Sequence, residues 1–503
     1  MQLDFSSNTA YLWALLPEIV LSLWAMLVLL VDVFQKGNRE APSKPMIAWL
    51  ALVGLVLAAA ANIWLIGVHE TGSGGMIAVD GFRVFANFIF LTAGALAVLI
   101  SMGYLDRNGI NRGEFYVLMM YAVVGMMLMA ASRDLILTFV ALELMSVAIY
   151  VLVGFNRRDP RSSEAALKYF LLGAFASGFF IYGVALIFGS TGSTNLTDIA
   201  TVLSGAPQPA SMMLIVGVAL LAVGFLFKVA AVPFHMWTPD AYDGAPTPVT
   251  ALMATGVKAA AFAAFLRVFS VAFAGLHDRW AFTVAALAVL TMLGANLIAL
   301  TQGSVKRMLA YSSVAHAGYL LVAVVAANAV GAAAFLFYLL VYTLMTAGAF
   351  GIVIANARGQ DERVSLDDYA GLGWQQPLLG VMFSVFLLSL AGFPLTGGFV
   401  GKLFILQAAL EAGQPWLAVV LVLASVISYF YYLRVIIVMY MRPAASEDAH
   451  RGLQLTGPAQ AGVVLAAVAV LLLFFAPSPV LDAAQQSVAS LFAPTGSVFG
   501  LHP

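Results

Sequence analysis

The chain has 503 residues, 62% of them hydrophobic and 9% charged, with a mean hydropathy of +0.98. Soluble domains carry roughly 25% charged residues, so a soluble enzyme is excluded and the bilayer is the solvent for most of this sequence. The absence of cysteine excludes thiolate-bound iron–sulfur clusters, cysteine zinc sites and disulfides, and a net charge of −1 offers no basic field for nucleic acid.

Apolar stretches of about 20 residues between Pro, Gly and charged punctuation predict an all-α polytopic membrane protein with about fourteen transmembrane helices. Span 1, at 11–34, follows a leader without basic residues and is not closed by a small-residue cleavage site, so it reads as a retained helix and not a signal peptide. Spans 2, 3 and 4 fall at 46–67, 80–104 and 114–131, with HETGSGG before span 3 reading as a flexible linker. Span 5, at 134–155, carries Glu143, the one acid in the middle of a span. Span 6, at 163–189, carries Lys168 five residues in, where it could serve either as a functional group or as a cation reaching the interface. Span 7, at 211–236, holds Lys228 just before Pro233, and span 8, at 248–272, holds Lys258. Span 9 is at 279–300, span 10 at 305–327 with His316, and span 11 at 331–357. The loop to 374, with Arg358, Asp361, Glu362, Arg363, Asp367 and Asp368, reads as a solvated connector or a docking surface. Span 12, at 375–411, is too long for one crossing and contains Pro394, Gly397, Gly398 and Lys402; spans 13 and 14 follow at 415–441 and 460–482.

Basic residues are retained on the cytoplasmic side. Loops after odd-numbered spans hold Lys36, Arg39, Lys44, Arg107, Arg112, Arg157, Arg158, Arg161, Lys306, Arg307, Arg358, Arg363, Arg442 and Arg451, against Arg83, Arg133 and Arg279 on the other side. Both termini are therefore expected outside, in the periplasm of a Gram-negative bacterium. The remaining cations, Lys168, Lys228, Lys258, Arg267, Lys402 and Arg434, lie within spans. Arg267 and Arg434 sit within two turns of a span end, close enough for snorkelling. Lys258 and His316 are ten and eleven residues into their spans, about 15 Å of rise and beyond that reach.

A charge at mid-bilayer costs about 2.5 to 3.5 kcal/mol on insertion scales, so such groups face a bundle interior or a hydrated pathway. Desolvation lowers a lysine pKa and a nearby carboxylate raises it, so a mobile Glu–Lys contact can toggle protonation. Static ion pairing is the competing reading, but one central glutamate cannot pair with Lys168, Lys228, Lys258 and Lys402 together. The unperturbed pKa of a histidine side chain is near neutral, which suits His316 to the same relay.

Proline removes a donor and disrupts the preceding turn, so irregular backbone is expected near Pro233 and Pro394, tolerated at membrane depth where it lines protein or water. The two breaks, in spans 7 and 12, are five spans apart, an odd offset that inverts topology. Interrupted helices at matching places point to inverted repeats around an ion pathway; two unrelated proline kinks are the alternative. This divides the chain into 1–113, a first repeat of spans 4 to 8 (114–272), a second of spans 9 to 13 (273–441), and 442–503. No phosphate loop, dinucleotide fingerprint or zinc spacing occurs.

PFHMWTPDAYDGAPTPVTALMA, KRMLAYSSVAHAGYLL and GFPLTGGFVGKLFIL strongly resemble the signatures of the antiporter-like membrane subunits of respiratory complex I, shared with the large subunits of multi-subunit sodium/proton antiporters. The resemblance covers residues 114 to 441. EAALKYFLLGAFASG at the start of span 6 and a lysine at Lys402 make the chain most similar to the N-subunit branch of NADH-quinone oxidoreductase. An end soon after span 14, without a long lateral helix, agrees with that branch. Leu395 departs from the pattern, since many relatives have a second proline there; Pro394 remains.

The resemblance implies that Glu143 and Lys228 form the charged pair of a first half-channel, with Lys168 modulating Glu143. Lys258 would connect to His316, and Lys402 would end the second half-channel. It further implies a proton-translocating subunit with no cofactor of its own. NADH, FMN, iron–sulfur clusters and quinone would belong to partner subunits. Its neighbours would be a second antiporter-like subunit and small membrane subunits, in a bacterial inner membrane. A cation/proton antiporter subunit is the second reading, and a non-conducting scaffold bundle the third; the deep charges argue against the scaffold.

Overall fold

The computed structural model describes residues 2–4, 8–35, 43–71, 75–205, 210–357, 362–446, 449–450, 453 and 455–492. Lys36, Arg39, Arg358, Asp361 and Arg451 lie outside the described residues.

Twelve helices among the described residues are long and apolar enough to cross a membrane. They correspond in order to the expected spans except for 7 and 12, which fall short because each is broken. Span 7 is a helix at Met212–Lys228, an irregular stretch, and a short helix at Trp237–Gly244. Span 12 is Pro377–Ala391 followed by Gly397–Glu411. Local chemistry sets the ends. Asp80, Asp134, Asp159, Ser211, Ser304 and Asn328 each accept from a backbone N–H of the first turn that follows, filling donors that a helix N-terminus leaves orphaned.

The spans differ in burial. Span 8 (Thr247–Val271) is wholly buried, and spans 10 (Val305–Ala326) and 11 (Ala329–Asn356) nearly so, whereas spans 1, 2, 6 and 13 keep most of their surface outward. Spans 8, 10 and 11 therefore form the spine, and the lipid-compatible helices surround it. Small residues permit the close contacts: a Cβ on Gly183 of span 6 would fall 2.6 Å from the Leu221 backbone nitrogen of span 7, the close approach that packs helices in lipid.

Three expectations need correction, and a fourth feature, in span 8, was not anticipated. Gln2–Asp4 and His69–Thr71 pair as a parallel two-stranded ladder, so part of the HETGSGG segment is strand, in an otherwise helical protein. Span 14 is Gly457–Phe475, and a separate helix, Ser478–Phe492, follows Pro477, whose ring cannot continue the preceding helix. Span 8 is not uniform: Met253–Val257, immediately before Lys258, is a π-helical turn, a feature frequent at functional sites. Arg267 does not snorkel. It is 2% exposed and forms a two-point pair with Asp80, at 2.7 and 2.9 Å. Arg434 is half-buried and donates to the Leu300 carbonyl.

The two membrane faces are distinct. One carries the Gln2–Asp4 strand, the start of span 3 and the end of span 8, and is called here the terminal face. The other, the basic face, carries the starts of spans 6 and 10 and the loop before span 12.

Candidate proton pathway

The first break places Lys228 at the last residue of its half-helix, 2% exposed. Its ammonium donates to Ser146 Oγ at 2.9 Å and Tyr150 Oη at 3.1 Å, both on span 5. The rings of Tyr150 and Tyr169 lie 5.1 and 5.4 Å from Nζ, within cation–π range. Glu143 sits one turn from Ser146, is partly buried, and accepts from Ser177 Oγ of span 6. The expected Glu143–Lys228 ion pair is therefore not formed: hydroxyl groups on span 5 hold the lysine, and a serine on span 6 holds the carboxylate.

Lys168 does not meet Glu143 either. It is 45% exposed and pairs with Glu164 at 2.8 Å and Asp240 at 3.0 Å, on the basic face. Its neighbour Tyr169 is the member of that segment that reaches Lys228. Tyr169 is fully buried and stacked on Trp237 at 4.3 Å.

Lys258, 1% exposed, donates to both the carbonyl and the Oγ of Ser313 on span 10. The adjacent Ser312 shares a hydrogen bond with Tyr432 of span 13. Tyr432 lies 3.2 Å from His316 Nε2, and Tyr338 of span 11 lies 2.7 Å from His316 Nδ1. The edge of the His316 ring meets Tyr319 at 5.3 Å, and the Tyr319 ring lies 4.6 Å from Lys402 Nζ. From Lys258 to Lys402 polar and aromatic groups thus succeed one another, joined by hydrogen bonds except between Ser313 and its chain neighbour Ser312 and across the ring contacts of Tyr319.

The second break holds Lys402. Its ammonium donates to the carbonyls of Leu390 and Ala391 at 3.1 and 2.8 Å, the end of the first half-helix, where unpaired carbonyls and the dipole favour a cation. Gly392 has φ +80°, and a Cβ there would lie 2.7 Å from Lys402 Cδ. A Cβ on Gly398 would strike the Ser389 carbonyl. Pro394 falls in the irregular link, and Gly397 opens the second half-helix. Pro233 likewise falls in the first link. These glycines let the half-helices and the lysine approach, which the sequence could register only as helix breaking.

Among the charges that escaped the sequence reading, the partly buried Glu362 and the buried Lys306 form a pair. Glu362, read as part of a solvated connector, bonds Tyr104 Oη, Thr247 Oγ1 and Lys306 Nζ at 2.7, 2.7 and 2.8 Å. Burial works against its charge, but Lys306 and the two hydroxyls hold its pKa below the usual carboxylate value. Lys306, counted with the loop cations, is 1% exposed. The group borders a cavity of about 250 Å³ on the basic face, lined also by Asp159, Arg161 and Asp243.

A family profile described as the membrane part of NADH:quinone oxidoreductase and Mrp antiporters matches residues 132–428. NADH-quinone oxidoreductase subunit N of Trichlorobacter lovleyi is 46% identical over 96% of this chain and 98% of its own, and subunit N 1 of Solibacter usitatus is 45% identical over 95% and 97%. Among solved structures, a chain of respiratory complex I from Thermus thermophilus is 37% identical, with a TM-score of 0.78 over 94% of this chain and all of its own. A chain of the Mrp complex from a Dietzia species has a TM-score of 0.80 over 96% of this chain and 98% of its own at 23% identity, a likeness of fold. Sequence, fold and the line of buried cations agree: the chain belongs to the NADH-quinone oxidoreductase subunit N family of antiporter-like membrane proteins.

Proposed function

We propose that this chain carries protons through the membrane as part of a redox-driven NADH-quinone oxidoreductase, by way of Glu143, Lys228, Lys258, His316 and Lys402, with Lys168 at the basic-face rim. The observation that carries the reading is the buried succession from Lys258 through Ser313, Ser312, Tyr432, His316 and Tyr319 to Lys402. Buried ionisable groups in a bundle interior are expensive and mark proton or ion routes. The serine hydroxyls, Tyr432 and His316 can each donate and accept, as a relay between cations requires, while Tyr319 joins His316 to Lys402 through ring contacts and turns its hydroxyl to Asn296.

The chain supplies no redox centre in this reading. NADH oxidation and quinone reduction occur on partner subunits that hold FMN and iron–sulfur clusters, and the neighbours are a second antiporter-like subunit and small membrane subunits. The division 1–113, 114–272, 273–441 and 442–503 follows from the breaks in spans 7 and 12, whose five-span offset supports two inverted repeats. The bias of lysine and arginine supports a bacterial inner membrane location with the terminal face towards the periplasm. In the assembled complex reconstituted into vesicles, Lys228→Ala or Glu143→Ala should lower both proton uptake and NADH-quinone turnover. Full coupled activity in an assembled variant would refute the relay. Solubilisation in mild detergent separates the antiporter reading: migration with a flavin-free assembly lacking NADH-quinone activity would favour it.

A further inference from the structure

Span 8 is chemically one-sided about Lys258. Towards the basic face it carries Thr247, Thr250 and Thr255, Lys258 itself bonds Ser313, and Thr247 reaches Glu362 beside the 250 Å³ cavity. Towards the terminal face, residues 259–266 read Ala, Ala, Ala, Phe, Ala, Ala, Phe, Leu, none more than 1% exposed. Rings fill the space around them. Phe265 stacks on Phe225 at 5.3 Å and meets Phe269 at 4.6 Å, and Phe269 meets Trp280 at 5.2 Å. Close-packed apolar volume of this kind holds no water.

Beyond this dry stretch stands Arg267, gripping Asp80 with two hydrogen bonds and lying 5.0 Å over the Phe82 ring. Asp80 also caps span 3, and Arg83 one turn on is fully buried and donates to both oxygens of Glu18 at 2.8 Å. A buried ion pair gains little net stability over apolar side chains of similar volume, and its attested use is to fix one register. The register fixed here is that of the terminal end of span 8 against span 3.

We propose that the Asp80–Arg267 clamp is a seal: it holds residues 259–266 closed, so that Lys258 exchanges protons with the basic face and with the buried chain but not directly with the terminal face. Arg267 and Asp80 are positioning residues in this account, which rests on the proton-translocating reading. A broken seal has a different signature from a broken relay, because protons leak back while electron transfer continues.

The test uses the intact complex in proteoliposomes, comparing Arg267→Ala and the isosteric Asp80→Asn with wild type. An imposed proton gradient should decay about tenfold faster without NADH, the factor for a barrier lower by ~1.4 kcal/mol. The gradient per NADH oxidised should fall while turnover holds or rises. Wild-type decay and gradient in an assembled variant would overturn the proposal, as would a parallel loss of turnover and gradient, which would place the pair in the relay. A wild-type complex that builds no gradient would instead sink the proton-translocating reading. A second readout is independent of activity: the chain has no cysteine, so Ala264→Cys introduces a single thiol. It should resist a membrane-impermeant maleimide, and become labelled from the terminal face when combined with Asp80→Asn. Equal labelling with and without Asp80→Asn would overturn the seal.

Discussion

The two breaks present a lysine in opposite ways. At the second, Lys402 bonds the carbonyls that the break itself releases, Leu390 and Ala391, so the gap in the helix is the lysine's binding site. At the first, the released carbonyls are already used: Phe225, Leu226 and Phe227 accept from Val229, Ala231 and the Trp237 indole. Lys228 turns away to the hydroxyls of Ser146 and Tyr150, one turn from Glu143. The backbone differs as well. Gly392 and Leu395, with φ +80° and +74°, occupy the left-handed region at the second break, whereas Ala230 alone, with φ +62°, does so at the first among the described residues. Matching breaks thus seat one lysine on freed carbonyls and the other on hydroxyls one turn from a carboxylate.

The largest expected effect removes protonation exchange from both halves. Lys228→Arg and Lys402→Arg keep a cation that does not deprotonate in proteins. Each should lower coupled turnover by about tenfold or more, ~1.4 kcal/mol per factor of ten; a static ion role would tolerate arginine, so near-normal activity would break the relay reading for that half. Next, Gly392→Ala should strain the left-handed backbone by about 1 to 2 kcal/mol and displace Lys402. A lower inactivation temperature together with reduced turnover is the expected result, while Ala230→Gly at the first break should raise that temperature slightly and leave turnover intact. Equal responses at the two positions would erase the distinction between the breaks. Tyr150→Phe removes one of two hydrogen bonds to the Lys228 ammonium, a contact worth about 1.5 to 3 kcal/mol when charged. It should lower turnover severalfold without affecting the Lys402 seat, as read from kinetics of single and double variants. The smallest effect concerns Asp80. Burial pushes its pKa up, but the charge and hydrogen bonds of Arg267, the charge of Arg133 and the backbone N–H of Arg83 more than offset that and hold it at about 2, below the ordinary 3.8. An acid with a lowered folded-state pKa contributes stability above its unfolded value, and that contribution is lost as pH falls towards 2. Thermal inactivation should therefore show no Asp80-dependent change between pH 5 and 8, and Asp80→Asn should differ from wild type by a constant amount there.

Much of the site was legible before the fold. Lys258, His316 and Lys402 stood out because lone charges deep in apolar stretches are costly, and the breaks because proline and glycine interrupt helices wherever they fall. Their partners were not. Tyr432 is 116 residues from His316, Ser313 is 55 from Lys258, and Tyr150 is 78 from Lys228, and nothing in a tyrosine or serine on an apolar helix announces which face it takes. The Glu143–Lys228 pair, implied by the resemblance, is not in direct contact: likeness of motif places both charges at the first break, not at bonding distance. Arg267 showed the limit of depth itself, since a cation near a span end can reach either lipid headgroups or a neighbouring helix.

Sequence alone determined the solvent, the helical class, the depth of the charges and the places where helices break, because each depends on residues adjacent in the chain and on the cost of taking polar groups into hydrocarbon. Tertiary structure alone decided that spans 8, 10 and 11 form the buried spine, that Lys402 sits on freed carbonyls while Lys228 sits on hydroxyls, and that Arg267 locks onto Asp80 rather than facing lipid. Those outcomes turn on distances of a few ångströms between helices far apart in the chain, which only packing sets.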